Sequence, residues 1–291
     1  MKLPFGSAAA FGPTALFVLL WSSGALFSKW GLASAGTSVL LSLRFALALA
    51  VVSVLALRLG PWLPRPGTRL RVFTTGLLLV GCYAVCYHLA LDFGLTPGVL
   101  ATVMGVQPLL TLVLTERPLS LRRMGGLLVA LAGLALVVAD TLWSAPLAGL
   151  GLAAALAALV AMTWGTLLQK SLDQPPLAVL PLQYAAGLGL CLLLLPLTPM
   201  RVEWTGGLVV SVAWLALVIS VAATLLLYRL IRAGNLVNVT SLFYLVPGGT
   251  ALLDWLVLGN VLSPRAMAGM ACIVGGLVVV FRPGRAQARI R

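Results

Sequence analysis

The chain has 291 residues, 61% of them hydrophobic and only 9% charged, with a mean hydropathy of +1.11. A soluble domain carries about a quarter charged residues, so this composition excludes a water-soluble globular protein and defines an integral membrane protein. The net charge of +13 does not point to nucleic acid, because the basic residues fall between and after the apolar runs.

About 20 apolar residues cross a bilayer as a helix. On that ruler ten spans follow one another, at 13–33, 36–57, 70–91, 95–114, 124–141, 147–169, 178–198, 208–232, 235–257 and 264–281. The unbroken Leu, Ala, Val and Gly runs favour helices over the alternating ten-residue segments of an outer-membrane barrel. The first run is long enough to span and another follows at once, so it reads as a retained helix and not as a signal peptide. The connections are short except for Arg58–Leu70, and none is expected to hold a soluble domain. Cys82, Cys86, Cys191 and Cys272 all lie inside apolar runs and read as small core residues. No cofactor and no metal site is expected.

Orientation follows from Lys and Arg. With a cytoplasmic N-terminus, 15 basic residues fall on the cytoplasmic side, among them Arg58, Arg65, Arg69, Arg117, Arg122, Lys170, Arg232 and Arg282. Only Lys29, Arg201 and Arg265 fall outside, and Arg44 lies within helix 2. The positive-inside rule therefore places both termini in the cytoplasm of a multi-pass protein of the cytoplasmic (inner) membrane.

The two halves echo each other. Trp164 follows Trp21 by 143 residues, Pro247 follows Pro108 by 139, and Gly269 and Gly276 follow Gly126 and Gly133 by 143. The units are 13–141 and 147–281, with a basic cytoplasmic tail at 282–291. Five spans per unit is an odd number, so the second enters the membrane from the opposite side. The expected fold is all-α, with ten transmembrane helices as two inverted five-helix repeats. Secondary transporters use such repeats and bind substrate near the midplane where the halves meet.

The residues that carry a family resemblance are Leu20-Trp21-Ser22-Ser23-Gly24 followed by Lys29, and Leu43-Arg44-Phe45. Gln107-Pro108 ahead of Thr115-Glu116-Arg117, and Val246-Pro247 ahead of Leu258-Gly259-Asn260, complete the set. In these the chain resembles the drug/metabolite transporter superfamily, and within it the ten-helix EamA-type exporters. The resemblance implies export of metabolites such as amino acids, or of toxic compounds. The chain departs from the family in having Asn260 where an acid usually follows glycine, and in a short spacing from Pro108 to Glu116.

Charged and polar groups within the membrane are the candidates for function. Arg44 sits about two turns into helix 2, either as the partner of a substrate anion or as a structural anchor. His88, the one histidine, has Asp92 four residues on, on the same face, and reads either as part of a proton-handling pair or as a hydrogen-bonded histidine at the interface. Trp21, Tyr83, Tyr87, Trp164 and Tyr244 supply aromatic faces, which suit an amphipathic or cationic solute or plain packing. Ser23, Gln107, Gln183, Asn238 and Ser241 add hydrogen-bonding groups. Pro108 and Pro247 each remove a backbone donor mid-span, marking helices 4 and 9 as cavity walls and moving parts. Gly126, Gly133, Gly269 and Gly276 mark helices 5 and 10 as a closely packed scaffold.

The expected function is a secondary transporter that exports a small organic solute across the cytoplasmic membrane by alternating access. The expected partners are that small-molecule substrate and the lipid bilayer, without nucleic acid. The sequence is compatible with a monomer and does not set the oligomeric state. Two other classes remain open: an intramembrane enzyme with a Ser23/His88 dyad, and a facilitative channel.

Overall fold

The computed structural model describes residues 8–139, 149–198, 200–258 and 263–282. They form ten helical segments in chain order. These are α1 (Ala8–Ser34), α2 (Thr37–Leu59), α3 (Arg69–Asp92), α4 (Pro97–Met104 and Gln107–Thr115) and α5 (Leu121–Val137). Then come α6 (Gly149–Ser171), α7 (Pro176–Leu197), α8 (Gly206–Ala233), α9 (236–258) and α10 (Pro264–Phe281). Among the described residues there is no strand, only an isolated antiparallel bridge between Ala35 and Val202.

Eight of these segments are long and apolar enough to cross a membrane, and together they define a multi-pass membrane protein. The other two are α5, which has 17 residues, and α9, which is interrupted by the 3-10 turn Leu242–Tyr244. Lipid offers no partner to an open backbone group, and several helix starts are closed by their own sequence. Thr96, Ser120, Thr205, Asn235 and Ser263 each accept from the backbone N–H three residues on. The Ser120 cap starts α5 three residues before the predicted boundary. Asp140, Trp143, Gly259, Asn260, the side chain of Asp254 and the tail beyond Arg282 lie outside the described residues.

Irregular backbone occurs at matching places. Both α3 and α8 contain a π-helical stretch, Leu77–Cys82 and Trp214–Ala223. α4 breaks at Gly105 and Val106, directly before Gln107 and Pro108, and α9 breaks three residues before Pro247. In both the predicted mid-span proline sits next to an interrupted hydrogen-bond ladder.

The main core joins α1, α2, α3, α6, α7, α8 and α9 through residues such as Phe17, Phe45, Leu180 and Tyr228. Here α1 packs on α8, α2 on α7 and α3 on α6. A second core of Leu112, Leu127, Leu134, Tyr244 and Ile273 joins α4, α5, α9 and α10. At its centre α5 and α10 meet backbone to backbone. A Cβ on Gly133 would lie 2.6 Å from Gly269 O, and one on Gly276 would lie 2.5 Å from Gly126 O. The early glycine of each helix faces the late glycine of the other, so the pair is antiparallel.

Several basic residues gather on one side, where loops and helix ends interlock. The Lys170 ammonium donates to Ile231 O at 2.6 Å and Gly234 O at 2.7 Å, which closes the end of α8. Arg65 N–H donates to Gln174 Oε1 at 2.8 Å, and Arg122 to Arg282 O at 2.5 Å. On the opposite side Gly36 N–H donates to Arg201 O at 2.9 Å, and Thr37 to Asp92 Oδ2 at 2.5 Å.

Candidate functional site

A cavity of about 180 Å³ lies between α1, α2, α3, α4, α8 and α9, bordered by α6 and α7. Both π-helical stretches face it, through Leu79 and Val80 on α3 and through Leu215, Ile219 and Ser220 on α8. A π turn carries an extra residue per turn and recurs at functional sites in helices. Glycine makes the α3 stretch possible: a Cβ on Gly165 would lie 2.8 Å from Leu79 Cβ, and one on Gly76 2.3 Å from Gln183 Cα.

One wall is aromatic. Trp21 lies 5.3 Å from Phe17 and 5.4 Å from Phe243, centroid to centroid, so α1 and α9 share a three-ring cluster. Tyr83 and Tyr87, one turn apart on α3, lie 5.8 Å from each other, and Tyr87 lies 5.6 Å from the His88 ring.

The polar groups are few and mostly satisfied. Arg44 Nε donates to Ser220 Oγ at 2.8 Å, and its guanidinium carbon lies 5.5 Å from the Phe45 ring. The Tyr184 hydroxyl donates to Ser220 O in the π stretch of α8, so Ser220 joins α2, α7 and α8. Gln107 Nε2 donates to Thr166 Oγ1 at 3.4 Å. The Tyr228 hydroxyl donates to Gln183 Oε1 at 2.8 Å, whose Nε2 donates to Gln169 Oε1 at 2.8 Å. His88 Nδ1 shares a hydrogen with Ala84 O at 2.7 Å, while its buried Nε2 has no partner.

Seven of the sequence candidates line this cavity: Trp21, Arg44, Tyr83, Tyr87, His88, Gln107 and Pro247. The other eight do not. Trp164 is 51% exposed on the outer face, because its neighbour Gly165 is the residue pressed against α3. The Ser23 hydroxyl donates to Leu20 O at 2.6 Å and accepts from Trp214 Nε1 at 2.9 Å. It therefore makes no pair with His88, and the dyad considered for an enzyme is not assembled. Asp92 accepts from Thr37 at the end of α3, and the His88/Asp92 pair expected from their spacing is not hydrogen-bonded.

Gln183 stands behind Tyr228 as its partner, and Pro108 is buried in the second piece of α4. The Ser241 hydroxyl turns back to Val237 O at 2.6 Å. Tyr244 is fully buried in the second core, its hydroxyl unpartnered. Asn238 accepts from Arg123 Nη2 at 2.5 Å. Arg123 is also paired with Glu116 and donates to Asn235 Oδ1 at 3.0 Å. This network ties α4, α5 and α9 together on the basic side, where Gln107–Thr115 packs on Leu236–Ser241.

Ser220, Tyr184, Thr224 and Ser28 border the cavity without having been singled out from sequence. The signal that marks Arg44, a polar group inside an apolar span, applies to Ser220 as well.

Apolar helices around a cavity with few polar groups make an arrangement that a membrane transport protein can use. Residues 149–282 match the EamA-like transporter family, and this match to the second half of the chain supports the resemblance to the EamA-type members of the drug/metabolite transporter superfamily. That is a family of transporters. A solved structure titled only "Crystal structure of protein" is 24% identical, with a TM-score of 0.78 over 94% of this chain and 97% of that one. At that identity the likeness is one of fold. No curated protein matches the chain.

Proposed function

We propose that the protein is a secondary transporter that exports a small organic solute across the cytoplasmic membrane by alternating access. In this reading all ten helical segments span, as two inverted five-helix repeats covering 13–141 and 147–281, with both termini cytoplasmic. The basic side is then the cytoplasmic side.

The observation that carries the reading is the pairing of irregularities across the halves. π stretches fall in α3 and α8, breaks fall beside prolines in α4 and α9, and the glycine contacts of α5 and α10 are reciprocal and antiparallel. An axis in the membrane plane relates such pairs, and transporters of this design bind substrate where the halves meet. On the basic side α4 and α9 are in contact and tied through Arg123. In this reading that contact closes the cavity on the cytoplasmic side, and export requires it to open.

Accessibility tests the reading without knowledge of the substrate. A cysteine at position 101, on the cavity wall, is placed in a background with Cys82, Cys86, Cys191 and Cys272 replaced. A membrane-impermeant maleimide is expected to label position 101 from outside in whole cells, and from the cytoplasmic face in inverted vesicles. Labelling from one face only overturns alternating access.

A further inference from the structure

The halves agree in some details and differ in one. The α5–α10 seam is reciprocal, and loops clasp on both sides, Gly36 with Arg201 on one and Arg65 with Gln174 on the other. The ends of α3 and α8, in contrast, are closed in two different ways.

α8 ends at Gly234, whose backbone is extended at φ −106° and ψ 174°. Lys170, in the last turn of α6, donates to Ile231 O at 2.6 Å, Arg232 O at 3.2 Å and Gly234 O at 2.7 Å. An ammonium placed there satisfies the last carbonyls and faces the negative end of the helix dipole. α3 is closed by its own chain. Gly94 is left-handed at φ +85°, its N–H donates to Leu91 O at 3.0 Å, and Leu95 N–H donates to Ala90 O at 3.0 Å. These are the two bonds of a Schellman turn, and they call for no lysine.

The residues for the other kind of closure are nevertheless present in each half. Lys170 follows Lys29 by 141 residues, and Gly234 follows Gly94 by 140. Lys29 is exposed near the end of α1, and no described residue accepts a hydrogen bond from its ammonium. The end of α3 is on the same side, where Thr37 at the start of α2 donates to Asp92. Gly234 gives the complementary sign. Any residue adopts its extended backbone, whereas the left-handed turn seen at Gly94 favours glycine. Glycine at both positions lets each helix end take either closure.

We propose that these two ends form a reciprocal latch. In the state seen, Lys170 holds the end of α8, and α3 ends in its glycine turn with Lys29 free. In the opposite state Lys29 holds the carbonyls of Leu91, Asp92 and Gly94, next to the Asp92 carboxylate, and α8 ends in a turn on Gly234. The two lysines are positioning residues, since each fixes the end of a helix whose π stretch borders the cavity. The inference rests on the reading of the chain as an inverted-repeat transporter.

The cysteine at position 101 reports the balance between the states. Lys29→Gln and Gly234→Ala weaken only the opposite state. Each is expected to raise labelling from outside over labelling from the cytoplasmic face by about fivefold, the scale of holding a residue other than glycine left-handed. Lys170→Gln and Gly94→Ala weaken the state seen and are expected to shift the ratio the other way. Lys29 is exposed and Gly234 extended, so the first two variants carry the test even if Lys170→Gln does not fold.

If the ratio in Lys29→Gln or Gly234→Ala is unchanged, or moves toward the cytoplasmic face, the latch is overturned. The two ends then differ only because their connectors do, Leu95 and Thr96 after one glycine and Asn235 after the other. A parent labelled from both faces keeps the transporter reading intact through that result. A parent labelled from one face only overturns the transporter reading, and the latch with it.

Discussion

The glycine seam between α5 and α10 and the cavity between α3, α4, α8 and α9 are built from nearly the same apolar alphabet, and they behave as opposites. In the seam, glycines at a seven-residue spacing bring two backbones so close that no Cβ fits. Around the cavity, π stretches and proline breaks interrupt the helices, and large side chains border the space without filling it. Regular small residues make a post that admits one arrangement. Interrupted ladders make walls whose regular hydrogen bonding is already shifted or broken, so that bending there disrupts less.

The largest effect is expected in the seam. Gly133→Leu drives a side chain into Gly269 O, 2.6 Å from the new Cβ, and should cost about 3 kcal/mol. It should show as loss of monodisperse protein and a collapsed melting transition in detergent. If the variant melts like the parent, the seam is not a rigid post.

Next comes the cavity. Arg44→Gln removes the one charge but little volume, so folding should survive while flux in proteoliposomes falls at least tenfold. A matching loss of stability and flux would make Arg44 a structural anchor, the reading its bond to Ser220 alone would support.

A smaller effect is expected on the basic side. Glu116→Gln removes the ionic partner of Arg123, whose side chain is 12% exposed, and so loosens the tie between α4, α5 and α9. Labelling of position 101 from the cytoplasmic face should rise several-fold relative to labelling from outside. An unchanged ratio would take this network out of the closure.

The smallest effect separates the two tryptophans that the proposed repeat pairs. Trp164→Ala removes a side chain on the outer face, so flux should be unchanged and stability should shift by no more than about 0.5 kcal/mol. Trp21→Ala should lower flux measurably, because it opens the ring cluster with Phe17 and Phe243.

Much of this architecture is legible without coordinates. Composition alone makes the chain a membrane protein, since 9% charged residues cannot wet a soluble surface. The seven-residue glycine spacing announces a close helix contact, and Pro108 and Pro247 announce broken ladders, because both are backbone effects that act where the residue stands. Rotation of each helix about its own axis is a different matter. In water an apolar stripe shows which face is buried. In lipid the outer face is as apolar as the core, so the sequence around Trp164 does not say that it points outward while Gly165 points in. The bond from Arg44 to Ser220, 176 residues apart, and the bare Nε2 of His88 likewise depend on which faces meet. The amino-acid order determined the helices, their breaks and the seam. Only packing decided which polar groups share one cavity, because a membrane-spanning sequence carries no polarity contrast to set its helices facing in or out.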